Sequence, residues 1–437
     1  MMPHQHSFRL PPELLTSPTY RSQWHLHGRM TDGQCCRSVN AEQAWSRLCG
    51  YGNEDVVIAF ADDGCQMEAV ASEADDKFVA AAFLEQGKLI YATPQQIKAK
   101  MFVPGHRHGT ALAGLMAGAV NANFPVGVAP GCRLLPVRWE YDKRFRITPQ
   151  GFHTMLTALE DKTDIFINTW ASLPQLKFPD KTVGLIRELS RHGGRRGKGI
   201  LFIWAAGNSG CPIQFQANSP VPYAGYVENN VFYDGRYSAE FTHSLCDIEN
   251  VLTVAAVNLY GRRAHYSSYG PGIALCAPSN NRHCFDAFPF SEPGLTTRSG
   301  DAEGYTHNFK GTSGAAALVA GVAALTLSAN SQLNACELAG ILRQTAARDL
   351  DCRPYAEHRY PAPDSPTGEV TDLPLVPFRN GEFNSCGWSP WFGHGLVDAE
   401  QAVITALDMG MGIPRKYTSP RTYKRMSGGS QCDGTGR

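Results

Sequence analysis

The 437-residue chain predicts an α/β fold, a doubly wound and mostly parallel sheet with helices on both faces and insertions along one edge. Three observations carry that expectation. Short apolar runs alternate with amphipathic stretches from about Asn40 to Ala406. Forty-three glycines and 28 prolines imply many tight turns between short elements. Three irregular stretches, Cys211 to Asn250, Ser279 to Lys310 and Asp351 to Trp391, are too long for simple connectors.

Buried strands are expected at Val56–Ala61, Leu134–Trp139, Ile165–Trp170, Ile200–Ala206 and Val251–Val257, because each is a short, continuous apolar run bounded by glycine, proline or charge. Helices are expected at Gly109–Val120, Pro149–Asp161, Lys181–His192, Thr312–Ser328, Gln332–Ala347 and Val397–Leu407. The uncharged stretch Gly311–Ala329 is rich in Gly, Ala, Ser and Thr, and its modest apolarity suits a buried helix better than a membrane span.

Composition narrows the function. At 43% hydrophobic and 18% charged, the chain can bury a large core and is neither disordered nor fibrous. Forty basic residues balance forty acidic ones, so no global field attracts nucleic acid or an anionic membrane, and neither is expected as a partner. Residues 1–23 lack the pattern of a secretory signal, which gives a cytoplasmic expectation. Thirteen cysteines without a C-x-x-C pair read as free thiols rather than a disulfide framework or zinc site. The cluster His4, His6, His25 and His27 lacks other ligands at metal spacing, so no metal is assigned.

Four places carry chemistry. Asp62, in Ala61-Asp62-Asp63-Gly64, stands where the first strong strand stops. His108, in Gly105-His106-Arg107-His108-Gly109-Thr110, begins a helix of small residues that can pack close to the sheet. Ser313, in Gly311-Thr312-Ser313-Gly314, opens a second such helix, with its hydroxyl and amide at a positive terminus. Acyl transfer needs this set: a hydroxyl too weak alone, an imidazole to take its proton, and a carboxylate to fix the tautomer. Asn208, in Ala206-Gly207-Asn208-Ser209-Gly210, follows another strand and can aim its amide at a developing oxyanion beside the Ser313 N–H.

In order and context, these residues resemble the subtilisin-like serine protease family, whose sequence of Asp, His and Ser matches Asp62, His108 and Ser313. Gly393-His394-Gly395-Leu396-Val397-Asp398-Ala399 is similar to the closing helix motif of that family's domain. Gln23-Trp24-His25-Leu26 and Asp62-Asp63-Gly64 look closest to its kexin and proprotein-convertase branch. The resemblance implies a subtilisin-like fold and a serine endopeptidase with a polypeptide substrate, divided into an N-terminal extension (1–39), a peptidase domain (40–411) and a basic tail (412–437). It implies that extended substrate pairs along Thr169, Trp170, Ala171 and Ser172, with Ala171 standing where the branch has glycine. The branch's acidic pocket for basic substrates has only approximate counterparts here, Asp180 and Asp234.

Asn121-Ala122-Asn123-Phe124 resembles, one residue short, a family loop that supplies calcium ligands, but without nearby carboxylates it is not counted as a site; calcium stays an open cofactor. Ala171, Ala317 and the absence of a recognisable propeptide before Asn40 keep a second reading in play, a module of this fold that has lost turnover and serves binding or regulation. The missing propeptide also leaves room for an unknown regulatory partner.

Overall fold

The computed structural model describes residues 8–72, 76–139, 147–170, 177–229, 231–286, 291–355, 359–361, 370–372, 378 and 380–413. The strands that matter for the site are β1 (Val57–Asp62), β2 (Ala82–Glu85), β3 (Lys88–Tyr91), β4 (Arg133–Arg138), β5 (Ile165–Asn168), β6 (Leu201–Ala205), β7 (Gln214–Glu228), β8 (Val231–Thr242), β9 (Val251–Val257), β10 (Ile273–Pro278), β11 (Leu295–Arg298) and β12 (Tyr305–Phe309). Eight of them form one sheet in the order β10-β9-β6-β5-β1-β4-β2-β3. All neighbours in it run parallel except β2 and β3, which pair antiparallel at the edge.

Every residue of β1, β6, β9 and β10 is buried, which explains why these strands read as unbroken apolar runs. Alternate side chains still serve opposite faces. Ile58, Phe60 and Ile203 join one core with Leu112 and Met116 of the His108 helix (His108–Ala117), Ala316 and Val319 of the Ser313 helix (Thr312–Ala329), and Ala402 and Val403 of the closing helix (Ala399–Gly410). Val57, Ala59, Phe202 and Trp204 join a second core with Phe152 and Met155 of Pro149–Ala158 and Ile186 of Asp180–His192. Helices on both faces of a mostly parallel sheet make the expected doubly wound architecture.

The Ser313 helix is long and apolar enough to cross a membrane, with a mean hydropathy of 1.6, but it is 89% buried inside the protein. Its alanines and glycines let it lie close against sheet and neighbouring helices, so it is a core element.

Residues 8–39, set apart in the expected division, pack against the first core through Leu14, Tyr20, Trp24 and Leu26. Gln23 is fully buried and holds Val126 on both sides, its Oε1 accepting from Val126 N at 2.9 Å and its Nε2 donating to Val126 O at 2.7 Å. His25 and His27, half of the sequence's histidine cluster, are buried as neutral rings whose pKa values burial pulls down to about 3 and about 4; His4 and His6 lie outside the described residues. Asn40 Nδ2 donates to Asp398 Oδ2 at 2.9 Å and Ala399 N to Val39 O at 2.8 Å, which fastens the start of the domain to its closing helix. Eleven described cysteines are free thiols, whereas Cys35 is disulfide-bonded, a departure from thiols throughout.

In the last stretch read as irregular Arg359–Pro361 pairs antiparallel with Val370–Asp372, and the other two contain longer hairpins: β7 pairs antiparallel with β8, and β11 with β12. Their registers shift, repeatedly in the longer one, so the period-two signal of a strand is broken in the sequence.

Candidate active site

In a parallel sheet of this kind the carboxyl ends of the strands form one rim. Asp62 ends β1 there and is buried, and both of its oxygens lie 2.9 Å from His108 Nδ1. Thr169, one residue past β5, donates its hydroxyl to Asp62 Oδ2 at 2.7 Å, and the Asp63 amide donates to Oδ1 at 2.8 Å. Burial alone would push the Asp62 carboxyl up. The His108 charge and these donors outweigh burial and hold it below its ordinary value.

An ionised carboxylate only accepts, so the His108 proton sits on Nδ1 and the lone pair on Nε2. The imidazole remains 39% exposed at the rim. Burial works against its protonation, but the Asp62 charge beside it prevails and raises its pKa above the ordinary 6.5.

Asp63, next in the chain to Asp62, positions the imidazole's helix. Its Oδ2 accepts from His108 N at 3.2 Å and its Oδ1 from Gly109 N at 2.8 Å, satisfying two of the helix's unpaired first-turn amides. Burial and the adjacent Asp62 charge push its pKa up to about 6. A Cβ at residue 109 would lie 2.0 Å from Gly64 O and 3.1 Å from Asp62 Cβ, so only glycine lets this helix start against the end of β1. Phe309 lies beside the imidazole, with ring centroids 5.4 Å apart.

On the other side of the rim, Gly311 turns the chain from β12 into the Ser313 helix at φ 93°. A Cβ there would stand 3.1 Å from Asn208 Nδ2 and would also be strained by the backbone angle. Asn208 Oδ1 accepts from Thr312 N at 2.9 Å and from Thr312 Oγ1 at 3.1 Å. With its oxygen engaged in the helix start, the amide keeps Nδ2 as a donor near Gly311, and no hydrogen bond from Ser313 N is present among the described residues.

Ser313 Oγ donates to the Thr169 carbonyl at 2.9 Å, and no hydrogen bond from it to His108 is present among the described residues. Thr169 therefore joins the two halves, its hydroxyl on Asp62 and its carbonyl on Ser313. Catalytic hydrogen bonds of this kind are often long without substrate and tighten when it arrives.

These contacts give Thr169 an organising part beyond the substrate pairing expected of it. Trp170, expected to pair with substrate, packs edge-on against Trp204 with ring centroids 4.9 Å apart. Ala171 and Ser172 lie outside the described residues. Asp180 is exposed at a helix start and Asp234 is exposed on β8, so neither is a buried partner for a basic substrate side chain.

The sequence profile of the subtilase family matches residues 53–389. The chain belongs to the subtilase family. The "Calcium-dependent protease" of a Nostoc species is 28% identical to this subtilase over 420 residues, covering 89% of this chain and 52% of the relative. Human proprotein convertase subtilisin/kexin type 7 is 27% identical over 343 residues, covering 77% of this chain and 38% of the relative. Among solved structures, the serine protease of Aeromonas sobria matches with a TM-score of 0.61 at 21% identity, covering 95% of this chain and 70% of that one, which shows the shared fold. This subtilase spans about half the length of the curated Nostoc relative it matches.

Calcium enters through the Nostoc relative's name. The loop Asn121–Phe124, which resembles a calcium loop but is not counted as a site, does not fit the ion, because the flanking carbonyls of Ala119 and Pro125 are already hydrogen-bonded to the Arg298 guanidinium. Elsewhere, His265, His283 and Cys284 bring three potential ligand atoms within 4.8 Å of one another. His283 Nδ1 accepts from the amides of Phe285 at 3.1 Å and Asp286 at 2.9 Å, which leaves its proton on Nε2. A neutral, packed ring in that state has no lone pair to give a metal on its Nε2 side.

Proposed function

We propose that this subtilase is a serine endopeptidase that hydrolyses polypeptides through an acyl-enzyme. The observation that carries the reading is the Asp62–His108 pair, with both contacts at 2.9 Å, tied to Ser313 through a single residue, Thr169. Ser313 Oγ attacks the scissile carbonyl carbon while its proton passes to His108 Nε2, and Asp62 stabilises the resulting imidazolium. The oxyanion is held by Asn208 Nδ2 and the Ser313 N–H. On collapse the C–N bond breaks and His108 gives its proton to the leaving amine. Water then repeats the sequence in reverse and frees the acid. Extended substrate lies along Thr169 to Ser172 as an added strand. No step passes through calcium.

A fluorophosphonate probe followed by peptide mapping tests the reading directly. One label on Ser313, with parallel loss of casein hydrolysis, is the expected result; hydrolysis that survives full labelling, or a label elsewhere, overturns it.

Two further outcomes follow from the site. Asn208→Ala removes one oxyanion donor and is expected to lower kcat by about 10²–10³ with little change in KM. Steady-state kinetics checks this, and a loss confined to KM would assign Asn208 to ground-state binding. The reaction also needs neutral His108, whose pKa lies above 6.5. Hence kcat/KM should rise with pH along a limb whose midpoint is above that value, and a midpoint below it would contradict the raised pKa.

A further inference from the structure

Arg298 ends β11 and is only 3% exposed, yet no carboxylate pairs with it among the described residues. Its charge is instead surrounded by backbone oxygens from the short helix Met67–Val70 and from both ends of the loop that follows the His108 helix. Nε donates to Pro125 O at 2.7 Å, Nη1 to Ala69 O at 3.0 Å and Nη2 to Ala119 O at 2.9 Å. The Phe124 ring lies 4.9 Å from the guanidinium carbon. Burial lowers the guanidinium pKa to about 10, which leaves it charged at neutral pH.

Carbonyl oxygens converging on a buried positive group are what a loop offers to a hard cation, and here the cation is part of the chain. We propose that Arg298 is a built-in substitute for calcium at the loop after the His108 helix, so that this loop is held without a metal ion.

The remaining donors agree. Calcium takes about six to eight oxygens, with carboxylates to balance its charge. Asn121 Oδ1 is spent on Asn123 N at 2.8 Å, and Gln23 holds both the N–H and the carbonyl of Val126. A divalent ion would meet occupied carbonyls and a fixed positive charge. The substitution also has a structural result. Ala119 lies just past the His108 helix, while β11 pairs with β12, which leads into Gly311 and Ser313. One side chain thus fixes the His108 helix against the strand pair that feeds Ser313.

The test measures the thermal midpoint and the peptide-hydrolysis rate of the full chain, in chelator and in calcium at about 10 mM, above the dissociation constants of the weakest protein sites. The same measurements are made on the double variant Asn121→Ala/Asn123→Ala and on Arg298→Met. The wild type is expected to show no calcium-dependent rise that the double variant lacks, and Arg298→Met is expected to melt lower in both buffers. A rise shared by wild type and double variant puts an ion elsewhere and leaves this loop to Arg298. A rise of several degrees in the wild type that the double variant loses would overturn the proposal, because a bound ion stabilises by mass action at its own site. The comparison of wild type with double variant holds whether or not Arg298→Met folds.

Discussion

Ser313→Ala is expected to lower kcat/KM by about 10⁶, the scale of loss when a triad loses its nucleophile. The fold should survive. Alanine is favourable in a helix, and the variant gives up a single hydrogen bond, the 2.9 Å contact from Ser313 Oγ to Thr169 O, worth about 1 kcal/mol. Residual hydrolysis should come only from oxyanion stabilisation and binding. Equal rates for wild type and variant, both correctly folded by circular dichroism, would remove Ser313 from the chemistry and with it the acyl-enzyme.

Asp62→Asn is expected to cost about 10⁴ in kcat while leaving the backbone in place. The carboxylate accepts from His108 Nδ1, from Thr169 Oγ1 and from Asp63 N, so it fixes the imidazole with its lone pair outward. An amide can turn its NH₂ towards Nδ1 and stabilise the opposite tautomer, whose Nε2 carries a proton and cannot act as base. The change also removes the negative charge that raises the His108 pKa. The acidic limb of kcat/KM should therefore move to lower pH in the variant. A limb that stays in place would mean that a group other than this pair controls it.

The sheet is legible where chemistry forces a simple pattern. β1, β4, β5, β6 and β9 are buried strands, and their expected bounds fall within about two residues of those observed, since covering both faces demands unbroken apolar residues. β10 has the same burial but does not stand out in the sequence, because Ile-Ala-Leu-Cys-Ala-Pro is short, small and ends in a residue poor in strands. The β7–β8 hairpin carries two prolines and register shifts, so neither alternation nor propensity marks it. The helix expected to open at Gln332 begins at Ala335, where Asn334 and Glu337 form a capping box.

The rim divides in the same way. Asp62, His108, Asn208 and Ser313 each sit in a short local motif at the end of a strand or the start of a helix, and such motifs survive in one dimension. The partners of Thr169, expected from the sequence only as a substrate-pairing residue, and those of Arg298 do not. Thr169 reaches Asp62 across 107 residues and Ser313 across 144, while Arg298 gathers carbonyls 173 to 229 residues away. Nothing near either residue in the sequence announces those partners, which exist only once the sheet has ordered its strands.

The bond between Asn40 and Asp398 spans 358 residues. A ribosome adding about 5–20 residues per second needs on the order of half a minute to travel that distance. During that interval the leading segment can meet partners made earlier, as Gln23 meets Val126 and Trp24 meets Gly294, but not the closing helix, and such high contact order slows folding. The clasp between Asn40 and Asp398 can therefore close only after the start of the closing helix has been made. The topology thus makes this fastening one of the last long-range contacts that synthesis permits.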